Sequence, residues 1–366
     1  MNEVMRVKMI VLLCSLTIFA GLSGGYVVGG LQAYSRYRQN SLAAQEHCSG
    51  QAPVHICVQA PPAIFSAFYP SYVANHTPLF LVQYSSSQPL TLAVSVTVIG
   101  MSQAQVQTLN ATEAPQSANF TPPLDGALFR QLTTEENTSL RVQVTDMQNH
   151  LYYLDDIPLL LHSRWLMQWA ASNRLQIAAW VTPNDPAIGT LVYKAEAQLP
   201  SEPAPTPSAM IGYNKASAGE VMAQVDAIYD TLLLDYDIRY VQASVPYSGP
   251  GSAAAATQII KLPSEVLAQR SGMCIELTLL LASAVERIGL HAEIIIVPGH
   301  AFLGVATTPD DSHFAYWDAV QLNNKVAGAS DAIITAAFYT QNMKQHTILD
   351  TIIISDARAA NINAMV

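Results

Sequence analysis

Charge is scarce in this 366-residue chain. Asp, Glu, Lys and Arg together make up 12% of it, about half the share usual in soluble domains. Hydrophobic residues make up 50%. That excludes a disordered chain, which needs high charge and few hydrophobes. Basic residues are the scarcer sign: 17 Lys and Arg against 27 Asp and Glu leave a net charge of −10. With no basic patch, nucleic acid is excluded as a partner. Long charge-free runs are scarce too. Residues 9–30 hold no Asp, Glu, Lys or Arg, enough to cross a bilayer core of about 30 Å. No later window is as long and as clean, so the chain reads as one membrane segment followed by a large globular part, not as a multi-pass protein.

Residues 1–8 are then a short tail and 9–30 an uncleaved anchor. A cleaved signal peptide, with a small-residue site near Gly21 and Ser23, is the competing reading. Arg6 and Lys8 precede the run and Arg36 and Arg38 follow it, so flanking charge barely chooses an orientation. Cysteine bears on that point. Of four cysteines, Cys14 lies in the apolar run, while Cys48 and Cys57 sit in a short Gly- and Pro-containing stretch within residues 31–60. That spacing can close a disulfide loop, which implies an oxidising, extracytoplasmic face. Two free thiols are the alternative. Cys274 remains without a partner. Four Asn-X-Ser/Thr sequons occur, at Asn75, Asn110, Asn119 and Asn137.

The rest reads as α+β, in two parts. Residues 61–162 alternate in short runs rich in Val, Thr, Tyr and Leu, at 79–84, 90–98, 140–144 and 151–154, with turn clusters between them. That predicts an antiparallel β-sandwich. It shows no titratable cluster and reads as a structural or docking module. Residues 163–216 connect it onward, with a helix start at Asn184-Asp185 and a Pro-rich linker at 199–208. In 217–366, residues 217–235 predict a helix whose buried face is Val221, Val225, Ile228 and Leu232, with Glu220, Gln224 and Asp230 off it. Residues 246–257, rich in Gly, Pro, Ser and Ala, predict a surface excursion. A Leu-rich helix starts near Cys274. Strands follow at 292–297, 301–306 and 314–318, then a helix at 330–339.

The chemistry concentrates there. A thiolate is favoured at a helix N-terminus, where N–H groups lack intrahelical partners. Cys274 takes that position after Gly272 and Met273, and Gly272 would let the backbone come close to a substrate. The Cys274 N–H is a natural oxyanion donor. His300 opens a strand just after Pro298-Gly299 and can serve as base and acid. Asp318 ends a neighbouring strand and can hold the other ring nitrogen. Glu276 reads as a helix-start acid and Trp317 as core. His291, His300 and His313 do not show paired zinc-ligand spacing.

Gly272-Met273-Cys274, the Ile288-Gly289-Leu290 stretch and Pro298-Gly299-His300-Ala301-Phe302 together resemble a bacterial transglutaminase-like domain over roughly residues 217–350. The resemblance implies a papain-like α+β core, with Cys274 as nucleophile, His300 as base and Asp318 as acid. It implies no cofactor or metal. The sequence departs from common members in placing Ala319-Val320 after the acid. The implied activity is acyl transfer from a peptide or carboxamide, by hydrolysis or transamidation, on a protein or peptide of the cell envelope. A non-catalytic cell-surface binding module is the alternative.

Overall fold

In the computed structural model, residues 45–74, 78–199, 209–250, 256–323, 328–329, 332–333 and 348–365 are described. The tail, the anchor at 9–30, Asn75, linker residues 200–208 and most of the helix expected at 330–339 lie outside them. Among the described residues, no helix is long and apolar enough to cross a membrane.

The first part is two facing sheets. Strands β1 (Gln45–Ser49), β2 (Val54–Ala60), β4 (Phe80–Ser86) and β7 (Gln116–Phe120) form one sheet in the order β1-β2-β4-β7. The other runs β3-β9-β8-β5-β6, built from β3 (Ala63–Phe65), β5 (Leu90–Val98), β6 (Gln105–Ala111), β8 (Glu136–Asp146) and β9 (Leu151–His162). Pairing is antiparallel except between β3 and β9. The alternation read from the sequence is what packs the sheets together. Val82 from β4, Val94 and Val96 from β5 and Val142 from β8 are fully buried in one core. Helices α1 (Tyr69–Ala74) and α2 (Gly126–Gln131) lie in the connections.

The segment read as a stretch beside the membrane belongs to this sandwich from Gln45 onward. Cys48 and Cys57 face each other across β1 and β2 and form a disulfide. The polar, turn-rich sequence of this hairpin hid it, because only β2 carries a buried face, Val54, Ile56 and Val58. The sequons at Asn110, Asn119 and Asn137 are exposed.

The second part sets helices against an antiparallel sheet. Its strands run β16-β15-β14-β17, with β14 (Ala292–Val297), β15 (His300–Ala306), β16 (Phe314–Trp317) and β17 (Asp350–Ile353). Both β14 and β15 are buried along their whole length, as expected of central strands covered on two sides. Helix α6 (Cys274–Arg287) packs on them. Helices α3 (Pro186–Ala195), α4 (Ala218–Leu234) and α5 (Pro263–Gln269) pack against it, and α7 (Ile354–Ala359) packs against β14 and β17. Two small sheets complete this part. Strand β10 (Leu166–Trp169) pairs with β12 (Ala256–Ile259), and β11 (Arg239–Tyr240) runs parallel to β13 (Ser271–Gly272).

Capping explains two of the helix starts. Asp185 accepts from Ala187 N–H at 2.8 Å to open α3. Ser217 and Glu220 cap α4 reciprocally, a capping box. One α4 residue departs from the expected face. Gln224 is fully buried because its amide satisfies both Gly212 N–H (2.8 Å) and Gly212 C=O (3.1 Å).

Candidate active site

Three elements converge on one point. Helix α6 presents Cys274 as its first residue. The β14–β15 hairpin presents His300, whose strand begins directly after Pro298 and Gly299. There Gly299 takes φ +73°, a left-handed corner that favours glycine. Asp318 follows the last residue of β16 and is completely buried. Thr278 ties helix to strand, donating to Cys274 C=O at 2.8 Å and reaching Ala301 C=O at 3.3 Å.

His300 Nε2 donates to Asp318 Oδ2 at 2.8 Å. The second carboxylate oxygen, Oδ1, accepts from Val320 N–H at 3.0 Å. The residues after the acid, which depart from the family pattern, therefore supply the acid's other partner. The thiol of Cys274 is a hydrogen-bond neighbour of His300, and Nδ1 is the ring nitrogen that Asp318 leaves for it. Burial opposes a charge on His300, but the hydrogen bond to Asp318 and the neighbouring Cys274 outweigh it. Together they push the ring up to about 9. These neighbours thus favour the charged ring at neutral pH, beside the sulfur. The thiol also donates to Ala243 C=O at 3.6 Å.

Glu276 is nearly fully buried. Its carboxylate accepts from Met273 N–H (2.9 Å) and Lys261 N–H (2.8 Å), with Lys261 Nζ 3.5 Å away. It fixes the helix start from behind and does not enter the reaction space. Gly272 serves the helix in the same way. A Cβ there would stand 3.0–3.2 Å from Leu277 and Val266 side-chain carbons. The glycine thus permits a close approach of backbone to helix. Trp317 is fully buried and donates to Asp226 Oδ1 at 2.8 Å. Burial, with Asp230 nearby, pushes Asp226 up to about 6. His291 bonds Asp311 at 2.6 Å and His313 bonds Ser312 at 2.9 Å.

Residues 261–326 match the family model of the transglutaminase-like superfamily. That stretch carries Cys274, His300 and Asp318, so the part of the chain similar to this family is the part that holds the site. No curated protein matches the chain, and no solved structure does.

Two further groups at the site were not legible in the sequence. Gln258 on β12 accepts from Trp169 Nε1 at 2.8 Å, which fixes the amide so that its NH₂ end points away. That end lies 3.9 Å from Met273 Sδ and 3.5 Å from Ser244 C=O, both next to residues that touch or carry the thiol. Tyr247 is buried, its ring 5.4 Å from that of Trp169, and its hydroxyl donates to Asp350 Oδ2 at 2.9 Å. Both belong to, or adjoin, the stretch read as a surface excursion. Its Gly, Ser and Ala residues masked the isolated Tyr and Gln that pack.

Proposed function

We propose that this chain is a cysteine-dependent acyl-transfer enzyme acting on peptide or carboxamide bonds. The observation that carries the reading is the continuous chain from thiol to buried, charged imidazole to fully buried carboxylate, set at a helix start. In the proposed cycle Cys274 gives to solvent the proton it otherwise shares with Ala243 C=O, and its Sγ, then a thiolate beside the His300 imidazolium, attacks the carbonyl carbon and forms a C–S bond. The oxyanion takes hydrogen bonds from the Cys274 N–H, which as the first residue of α6 has no intrahelical acceptor, and from the Gln258 amide. His300 gives its proton to the nitrogen as the C–N bond breaks, and the amine leaves. Water, deprotonated by His300, then releases the acid from the thioester. An amine in place of water gives transamidation. Asp318 keeps the ring oriented and stabilises its positive charge.

The enzyme is proposed to sit outside the cytoplasm, held by residues 9–30, and to act on proteins or peptides of the cell envelope. The disulfide between Cys48 and Cys57 supports an oxidising compartment. The sandwich serves as its docking or spacing module.

A peptidyl nitrile tests the chemistry. A nucleophilic thiolate adds to the nitrile carbon and forms a thioimidate, with the proton supplied to nitrogen. Mass spectrometry of the full chain is expected to place the adduct on Cys274, with none in Cys274→Ala. His300→Ala should slow its formation by about 100-fold, the scale of lost acid–base assistance. Equal labelling in His300→Ala would contradict the reading.

A further inference from the structure

Cys274 is 1% exposed and His300 8%, which is little for two residues that must meet a substrate. Residues 241–247 provide the cover. This strap leaves β11 and crosses the thiol. Val241 N–H donates to Gly272 C=O at 2.8 Å, on the Cys274 side of the site. Val245 N–H donates to Gly299 C=O at 3.2 Å, on the His300 side. Between these two ties, the Ala243 carbonyl meets the thiol. The strap is extended: Gln242, Ser244 and Pro246 are exposed, whereas Ala243, Val245 and Tyr247 turn inward, the period of a β-strand. Its far end is held by Tyr247, wedged on Trp169 and bonded to Asp350, which Arg174 holds in turn at 2.8 Å.

We infer that the strap occupies the acyl-donor cleft as an internal blocking segment, and that the substrate is an extended polypeptide that takes its place. This rests on Cys274 being the nucleophile. The strap lies as such a substrate would lie, paired by backbone on both sides of the catalytic pair. It is held unreactive because the thiol meets the carbonyl oxygen as a donor. A displacing peptide would recover the pairs to Gly272 and Gly299, so the exchange loses few hydrogen bonds. A small free carboxamide has no strand to offer and would leave the strap in place.

The test is the rate at which iodoacetamide alkylates Cys274 in the full chain, read by mass spectrometry of the peptide carrying it. Tyr247→Phe keeps the ring and removes the bond to Asp350. It should alkylate about tenfold faster than the parent, the effect expected of one hydrogen bond to a carboxylate on an opening equilibrium. Tyr247→Ala should be faster still. A synthetic peptide of sequence 239–248 should slow Tyr247→Ala back towards the parent rate. Parent and Tyr247→Phe rates that coincide would overturn the blocking role, and this comparison stands even if Tyr247→Ala does not fold. Failure of the peptide to protect would overturn the substrate assignment. Alkylation needs no acyl transfer, so faster alkylation in a chain that hydrolyses no peptide would refute the enzyme and leave the strap standing.

Discussion

A positive charge inside a buried site has to be held there by its neighbours, and at His300 the neighbours are Asp318 and Cys274. Because the folded ring titrates at about 9, above the usual value of about 6.5, the sign of the linkage is fixed. The stabilisation is fully present below about 6.5 and is lost as pH rises through about 9. The raised value favours the charged ring across neutral pH. Glu276 is the other residue on which the geometry depends. It satisfies two backbone donors, at Met273 and Lys261, and Glu276→Ala would leave both without that acceptor in a half-buried region. The expected loss is about 2 kcal/mol, from two half-buried donors at the low end of 1–3 kcal/mol each, measured by urea denaturation of the full chain. A loss below about 0.5 kcal/mol would mean that other acceptors replace the carboxylate.

The elements show why part of this was legible in the sequence and part was not. A cysteine after Gly272-Met273 at the head of a Leu-rich run, a histidine after Pro298-Gly299 and an acid at a strand end are local signals. Each rests on capping, turn or strand chemistry within a few residues; α6 and β15 begin where those signals place them, and β16 ends one residue before the acid. The strand pattern of β4, β5 and β8 was legible for the same reason, since alternation is written along one strand. What escaped were features set by distant partners. Gln224 looks like a surface amide until Gly212 arrives to bond it. Gln258 is fixed by Trp169, 89 residues away. Residues 246–249 look like an open loop, yet Tyr247 is held by Trp169 and Asp350. The β1–β2 hairpin has one buried face and a cross-link, and so lacks the apolar density that marks a strand in sequence.

At the scale of the whole chain, the sandwich and the second part share a seam. The end of β3 and the turn after it carry Phe65, Ala67 and Phe68 out of the sandwich into the second core. There Phe68 meets Trp180 edge-on at 6.4 Å and stacks on Phe65 at 5.3 Å. Arg164 adds a polar tie, bonding Arg130 C=O of the sandwich and Glu265 of α5. Phe68→Ala should cost about 3–5 kcal/mol and split one calorimetric unfolding transition into two. A single transition shifted by less than about 2 °C would show that the seam does not couple the parts. The central claim is that this fold brings Cys274, His300 and Asp318 into one charged unit. The most direct measurement is an NMR titration of the His300 ring in the parent, Asp318→Asn and Cys274→Ala. The account predicts a midpoint near 9 in the parent, falling in both variants. A parent midpoint near the ordinary value of about 6.5, unmoved by either substitution, would contradict it.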